Sequence, residues 1–404
     1  MVMDSSNLRG AKIQKRFSLI AANSAHNLLL PILNIFISLL VIRFASNKLW
    51  GEFVYILIIV NFATHILQWG NKDYLLREFS FNPSAIAALW QKGLLSRLPL
   101  LLLFIPVAAF LNLSFEIKVL IILWVFFAFV YQSFNVLVIF KHRFKTALLL
   151  DIIVLSFLII CIIIFRDFLS RKILIFLFTS QFFVKMLALG YVFRKDLFGK
   201  FLGRIEPAFL MAALPFFMVG FSGMLISRMD LYCVAYFLSE NEVGQYQVFI
   251  NPLLYLQGIA SFIITPFIKY IYRFPAKTIR KTLYLMATVG IAINIPGIVG
   301  VYFLISYYYQ FDFSGIMFFI AYLFVIPVYF YIIKVQLLFR RRQQKIVVFL
   351  CLIYGFINLV FNIFLIPLWG IMGALISSTI VQWLLLLSYF ISVKQLQMVK
   401  KEEK

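Results

Sequence analysis

The chain has 404 residues, of which 64% are apolar and only 13% charged, and its mean hydropathy is +1.00. Because soluble domains hold an apolar share nearer half, a soluble fold is excluded. Several apolar runs exceed about 18 residues, enough to cross roughly 30 Å of hydrocarbon as a helix, whereas barrel strands would be shorter and alternating. The composition therefore predicts an all-α polytopic membrane protein.

The apolar runs predict about twelve membrane-spanning helices. In chain order they cover roughly 17–43, 50–70, 87–110, 117–140, 146–165, 173–193, 208–237, 243–268, 282–307, 315–339, 346–366 and 369–393. The first run follows the basic segment Arg9–Arg16, but it is too long and too polar for a cleavable signal, so we expect it to be the first helix. The segment 71–88 is expected to be an amphipathic interfacial turn or a solvated loop.

The formal net charge of +22 would point to nucleic acid in a soluble protein, so the positions of the charges decide its meaning. Most of the 37 Lys and Arg fall at the termini and in every second loop, with dense groups at 141–145, 194–204, 269–281 and 340–345. Because basic loops remain on the cytoplasmic side, both termini are predicted to be cytoplasmic. No nucleic-acid partner is expected.

A weak internal repeat relates the two halves of the chain. Sliding the sequence by 193 positions sets 44–53 beside 237–246 and matches Gly51 with Gly244. The shift is close to half the chain length, which indicates two homologous halves with a border after residue 205. A repeat of this size is typical of transporters, and the two glycines are expected in equivalent external turns where a side chain is poorly tolerated.

Motifs for enzymatic chemistry are missing from the sequence. It has no phosphate-binding loop, no H-E-x-x-H zinc motif and no G-x-S-x-G nucleophile motif, and no loop is long enough to fold as a catalytic domain. Cys161, Cys233 and Cys351 lie singly in apolar surroundings without metal-ligand spacing, as buried inert thiols do. We expect no enzyme activity, no metal and no cofactor.

Polar side chains recur on one face of otherwise apolar helices. They are Asn23, Asn27, Asn34 and Ser38 in the first helix, Asn61, His65 and Gln68 in the second, and Gln247, Asn251, Tyr255 and Thr265 in the eighth. These stripes have two interpretations, interhelical hydrogen bonds that hold a bundle together or the lining of a wet cavity. Amides and phenols would suit sugar hydroxyls in such a cavity.

Charged residues within the apolar runs are costly, because a charge at the middle of a bilayer costs at least about 2.5 kcal/mol. Arg97, Lys185, Arg228 and Asp230 are the deepest of them. For Arg97 and Lys185, contact with a substrate competes with internal ion pairing or headgroup contact. Arg228 and Asp230 are two residues apart and point to different faces of the helix, so each is expected to need another partner. Asp151 lies near a cytoplasmic helix end, where we expect its side chain to reach the interface.

Three stretches resemble the polysaccharide-flippase branch of the MOP superfamily, the Wzx-type exporters. In the seventh helix of that family, an Asp precedes Phe-Leu by about seven residues and Val-Gly-x-Tyr follows. Asp230, Phe237-Leu238 and Val243-Gly-Gln-Tyr246 agree with that pattern. The segments 41–51 and 358–374 also agree, the second with the junction between the eleventh and twelfth helices.

The resemblance implies a MATE-like fold of two six-helix bundles, at 1–205 and 206–404, which alternates between inward-open and outward-open states. It implies that undecaprenyl-diphosphate-linked oligosaccharide units are flipped across a bacterial inner membrane for O-antigen, capsule or exopolysaccharide synthesis. Partners would be the bilayer and the polymerase and chain-length proteins of that pathway, with H+ or Na+ as a coupling ion.

The expected substrate-binding residues are Arg97, Lys185, Arg228, Asp230, Asn23, Asn27, Asn34, Asn61, Gln247, Asn251 and Tyr255. The cations would offset the desolvation of a diphosphate, and the amides would bind sugar hydroxyls. Two alternatives stay open, a multidrug exporter of the same superfamily and a membrane scaffold that does not transport. An exporter of cationic drugs would favour buried carboxylates, and a scaffold would tolerate the loss of every charge in its helices.

Overall fold

Helices form nearly all of the described chain in this computed structural model, which describes residues 32–197, 204–264, 271, 275–341 and 343–402. In chain order the helices are α1 (Ile32–Phe44), α2 (Asn47–Gln68), α3 (Asn71–Phe81), α4 (Ile86–Ala109), α5 (Phe115–Ser133), α6 (Asn135–Phe140), α7 (Phe144–Ile164), α8 (Arg171–Val192), α9 (Arg194–Leu197), α10 (Pro207–Phe237), α11 (Glu240–Ile264), α12 (Ala276–Phe303), α13 (Gly315–Arg340) and α14 (Gln344–Glu402). A π-helical turn, Leu304–Tyr308, extends α12.

The predicted fold class, an all-α polytopic membrane protein, is confirmed. Ten stretches of the described chain are long and apolar enough to cross a membrane, and α1 is a shorter apolar helix. Helix α14 holds two spans, because Gly370 has non-helical dihedral angles that divide it into a first arm (344–369) and a second arm (371–402). The predicted helix 117–140 differs from the structure, in which it is divided at Phe134 into α5 and α6.

The chain divides into two compact units. Unit 1 comprises the described residues up to Ala45 and Ile56–Gly220, and unit 2 comprises Ser46–Tyr55 and the residues from Phe221 onward. Helices α2 and α10 therefore each contribute to both units. The division of the sequence after residue 205 stays a prediction.

In unit 1, α5 packs against α4 and α8, α7 packs against α8, and α3 packs against α4 and α6. The segment that the sequence left open as an interfacial turn or a loop begins with the helix α3. Its Leu75 and Phe79 are buried in an apolar cluster with Trp90, while Arg77 is exposed. Helix α3 is thus amphipathic, with one apolar face buried in unit 1 and a charged face exposed.

The turn between α2 and α3 requires a glycine. Gly70 has a φ of +66°, in the left-handed region, and a Cβ atom there would lie 2.4 Å from the backbone nitrogen of Phe217. Trp69 precedes it, stacks on the Phe217 ring at 4.3 Å and donates its indole N–H to the Leu210 carbonyl at 2.9 Å. The close approach fixes α3 against the first part of α10.

In unit 2, α13 is the central helix and packs against α11, α12 and α14. Its Tyr329 donates its phenol to the Leu256 carbonyl on α11 at 2.6 Å. Hydrogen bonds of this kind between helices replace the hydrophobic effect, which does not drive helix association within a bilayer.

Candidate functional site

Arg97, predicted to contact substrate, is enclosed within unit 1. Its side chain is 0% exposed, and its guanidinium donates to the carbonyls of Gly93 (2.8 Å), Leu67 (3.1 Å) and Gln68 (3.3 Å). A further N–H reaches the Ser133 hydroxyl at 3.0 Å, and the group lies 4.9 Å from the centre of the Phe129 ring. The donors of Arg97 thus satisfy carbonyls at the end of α2, which have no intrahelical partner.

Lys185 is also enclosed in unit 1, where it forms an ion pair. Its ammonium lies 2.7 Å from the Asp151 carboxylate, and the two side chains are 4% and 1% exposed. The Tyr131 hydroxyl donates to the same carboxylate at 3.3 Å, and the ammonium lies 5.6 Å from the Tyr131 ring centre. The expectation that Asp151 reaches the interface is wrong, because it faces inward from α7 toward α8.

A depth comparison would have predicted this ion pair. Asp151 is seven residues from the start of α7, and Lys185 is seven residues from the end of α8. Consecutive helices run in opposite directions, so the two residues have equal depth, about 10 Å from one end of each helix. Sequence reasoning that took each charge by itself missed the pair.

Asp230 in unit 2 is buried as deeply but is held by neutral groups. It is 3% exposed, and its carboxylate accepts from the Tyr246 hydroxyl (2.5 Å), the Ser378 hydroxyl (3.1 Å) and the Leu231 backbone N–H (2.8 Å). Within the described chain, no Lys or Arg lies within salt-bridge distance of it. The charge of Arg228, two residues earlier on α10, acts on the carboxylate from a greater distance, so hydrogen bonds and this cation together only partly offset the charge of an ionised Asp230.

A cluster of amides and hydroxyls continues from Asp230 between the arms of α14. Asn358 accepts from the Ser377 hydroxyl at 2.7 Å and from the Asn362 amide at 3.0 Å, and its own amide reaches the Ser378 hydroxyl at 3.5 Å. The side-chain oxygen of Asn362 is buried and accepts no hydrogen bond from a described residue. These side chains lie in or next to the segment 358–374, which resembles the polysaccharide-flippase pattern, but no spacing in the sequence indicates that they meet Asp230.

Arg228 and Asn251, both predicted site residues, lie together in unit 2. The guanidinium donates to the Asn251 side-chain oxygen at 2.9 Å, and both residues are only half-buried. Gln247, one turn before Asn251 on α11, accepts from the Trp50 indole N–H at 3.1 Å, and Tyr255, one turn after it, is half-buried as well. The polar stripe of α11 thus runs beside a partly exposed cation.

The repeated segments contact each other inside unit 2. A Cβ atom on Gly51 would lie 1.5 Å from the Glu240 carbonyl oxygen, and one on Gly244 would lie 3.0 Å from the Asn47 carbonyl oxygen. Because the repeat relates Asn47 to Glu240 and Gly51 to Gly244, these contacts are reciprocal, as at a two-fold axis. The glycines lie in the first turns of α2 and α11 rather than in the connecting turns, and Ser46 caps α2 by accepting from the Leu49 N–H.

The remaining predicted residues lie apart from these groups. Asn23 and Asn27 fall outside the described residues, and Asn34 and Asn61 are exposed on α1 and α2 of unit 1. Ser38, buried on α1, donates to the Ile35 carbonyl at 2.8 Å. Among the described residues no group of three or more His, Cys, Asp or Glu side chains is placed to hold a metal ion.

The comparisons with known proteins support the fold. No family model and no curated protein matches the chain. A solved structure described as "Lipid II flippase MurJ, inward closed conformation" is similar to it, with 16% sequence identity and a TM-score of 0.72 over 92% of this chain and 87% of that chain. The chain thus shares the fold of a flippase structure over nearly its whole length.

Proposed function

We propose that the protein flips undecaprenyl-diphosphate-linked oligosaccharide units from the cytoplasmic to the periplasmic leaflet of a bacterial inner membrane. The units would serve O-antigen, capsule or exopolysaccharide synthesis, in company with the polymerase and chain-length proteins of that pathway. The chain would have both termini in the cytoplasm and would act by alternating access. The fold that it shares with a lipid II flippase supports a lipid-linked substrate.

The observation that carries the proposal is the half-buried guanidinium of Arg228 within a membrane helix. Among the described residues its one hydrogen bond goes to Asn251, although a guanidinium has five N–H donors. Two parallel N–H groups of an arginine match the oxygens of a phosphate, and a diphosphate would offset the cost of this charge in the membrane.

The enclosed cations receive a different role in this proposal. Arg97 and Lys185 have their charges engaged within unit 1, so they would position helices around the substrate rather than contact it. In unit 2, contact with the substrate is assigned to the half-buried Arg228, Gln247, Asn251 and Tyr255. In unit 1, it is assigned to the exposed Asn34 and Asn61, and the predicted Asn23 and Asn27 are proposed as well. The amides would bind sugar hydroxyls.

Asp230 is assigned to the coupling ion. A monovalent cation, H+ or Na+, would neutralise its carboxylate, and the buried Asn362 oxygen and the Ser378 hydroxyl would be further oxygen ligands for Na+. Burial of an uncompensated carboxylate is costly, so binding of a cation would change the stability of unit 2. The thermal stability of the purified protein in NaCl and in choline chloride, at several pH values, measures this directly.

The test of the substrate is restoration of surface glycan in a flippase-null strain, with membrane abundance measured alongside. Arg228→Gln is expected to reach normal abundance, because it removes a half-buried charge, and to lose most of the glycan. Arg228→Lys should retain part of it, since an ammonium keeps the charge without the paired geometry. Arg77→Gln, which removes an exposed arginine on α3, is the matched control.

The alternatives predict other results. An exporter of cationic drugs would be indifferent to Arg228→Gln and would confer drug resistance that Asp230→Asn abolishes. A scaffold would restore glycan with either substitution. Full glycan from Arg228→Gln at normal abundance would contradict the proposed role of Arg228.

A further inference from the structure

We infer that the hydroxyl and amide groups between α13 and the two arms of α14 form a proton route from Asp230 to the Arg340 end of unit 2. The inference rests on the proposed function, since it names the coupling ion and its path. That end of unit 2 is the one predicted to face the cytoplasm, because Arg340 and Lys345 lie there.

The route begins at the carboxylate. The Ser378 hydroxyl, on the second arm of α14, donates to Asp230 at 3.1 Å. Gln382 lies one turn further along the same face and is buried, and its oxygen accepts from the Tyr331 hydroxyl of α13 at 3.0 Å. Besides Ser378, the Tyr246 phenol donates to Asp230, and one turn of helix separates Ser378 from the bonded pair of Gln382 and Tyr331.

The first arm of α14 supplies a second row of polar groups. Asn358, which contacts Ser378, is followed one turn closer to the Arg340 end by Tyr354. The Tyr354 hydroxyl lies 2.6 Å from the Ser388 hydroxyl on the second arm. Two hydroxyls at this distance share one hydrogen bond that either can donate, so its direction can reverse without movement of the helices.

The two rows converge toward the Arg340 end. The Tyr331 and Tyr389 rings lie 5.2 Å apart, and the Tyr389 hydroxyl is 3.6 Å from the Cys351 thiol. Around them is an apolar cluster that includes Leu338 and Leu385. Polar groups thus continue through this apolar cluster.

The chemistry of these rows favours H+ over Na+. A proton moves along hydroxyl groups when their hydrogen bonds exchange partners, and the amides of Asn358 and Gln382 hold the hydroxyls of Ser378 and Tyr331 in place. A sodium ion would need several oxygen ligands at each step, whereas Tyr331, Gln382, Tyr354 and Ser388 are already bonded in pairs. The competing interpretation is that these pairs only hold the helices together.

The experiment uses the full chain in proteoliposomes, selected for molecules with the cytoplasmic face outward. A rapid drop in external pH at constant salt is followed by tryptophan fluorescence, first in the wild-type protein and in Asp230→Asn. The expected signal relaxes in a single phase in the wild type, is slower in D2O, and is absent in Asp230→Asn. A rapid rise of NaCl at constant pH, in place of choline chloride, is the parallel measurement.

Tyr354→Phe combined with Ser388→Ala removes one hydroxyl pair with little change of shape. We expect the same final amplitude, an unchanged melting temperature within a few degrees, and a relaxation slowed about tenfold, as loss of a single hydrogen-bond step produces. Tyr331→Phe should slow the relaxation less, because the hydrogen bond from Tyr331 to Gln382 has one fixed direction, whereas the reversible Tyr354–Ser388 pair carries most of the transfer. Tyr329→Phe is the control, since it removes a phenol from the same helix that bonds α11 instead.

Each outcome decides a different point. A wild-type relaxation in the double variant, with the Asp230→Asn signal absent, would overturn the route and leave the ion site intact. A lower melting temperature with an unchanged rate would show that the pairs only hold the helices together. A response to NaCl alone would show that sodium and not a proton binds at Asp230, and it would contradict the proton route. If the wild type responds to neither ion, the proposed coupling at Asp230 fails, and the route fails with it.

Discussion

Each unit contains a buried carboxylate, and the two carboxylates have different partners. In unit 1, Asp151 is paired with the ammonium of Lys185 at 2.7 Å, so its charge is cancelled by a group of the same chain. In unit 2, Asp230 is equally buried but accepts only from hydroxyls and a backbone N–H. The Lys185 ammonium is part of the chain and stays beside Asp151. The donors around Asp230 are neutral, so its carboxylate can bind a cation from solution.

The difference separates charges that have partners within the fold from charges that the proposed function uses in transport. The cations of unit 1 that the sequence placed in the substrate site have their donors or charges engaged, as Arg97 and Lys185 show. In unit 2, Arg228 is half-buried, and Asp230 forms no salt bridge with a described residue, although the charge of Arg228 acts on it from a greater distance. We therefore expect loss of charge to impair folding in unit 1 and transport in unit 2.

The largest expected effect is that of Asp151→Asn. It leaves the Lys185 ammonium buried without a counterion, which costs about 3–5 kcal/mol, so little folded protein should accumulate. Adding Lys185→Met should restore most of the abundance, because an apolar chain of similar length replaces the ammonium. Asp167→Asn, in the exposed turn after α7, is the control. The comparison breaks down if Asp151→Asn alone folds normally.

A smaller loss is expected from Arg97→Gln, the other enclosed charge of unit 1. It leaves carbonyls of Leu67 and Gln68 without donors, each at about 1–3 kcal/mol, although a glutamine amide can satisfy one of them. Arg97→Lys should fold better than Arg97→Gln because the ammonium retains donors. Membrane abundance and melting temperature measure both. Normal abundance with lost transport would instead return Arg97 to the substrate site.

The smallest of the three effects is a difference between two glycines of unit 2. Gly51→Ala should destabilise by about 1–3 kcal/mol, because its Cβ would meet the backbone of Glu240, whereas Gly244→Ala needs neighbours to give by only a few tenths of an ångström. Gly300→Ala, with open space around it, should have no such effect. Equal melting temperatures of Gly51→Ala and Gly300→Ala would refute the close helix contact in unit 2.

The sequence predicts the helices well because an apolar run of about 20 residues has few alternatives in a bilayer. It also predicts the repeat, whose glycines the structure places in contact. It does not predict the partners of each charge, because these depend on which helices are neighbours. Asp151 and Lys185 are 34 positions apart, and Asp230 and Ser378 are 148 apart. A comparison of depth in consecutive helices identifies the pair of Asp151 and Lys185. The pair of Asp230 and Ser378 can be identified only from the fold.

The most direct test of the contrast between the units compares Asp230→Asn with the double variant Asp151→Asn, Lys185→Met. Both remove a buried carboxylate, and the double variant also removes its counterion, so neither leaves a new unpaired charge in the membrane. Surface glycan in a flippase-null strain is measured at matched membrane abundance. The account predicts that the double variant restores glycan and Asp230→Asn does not. Glycan from Asp230→Asn, together with none from the well-folded double variant, would contradict it.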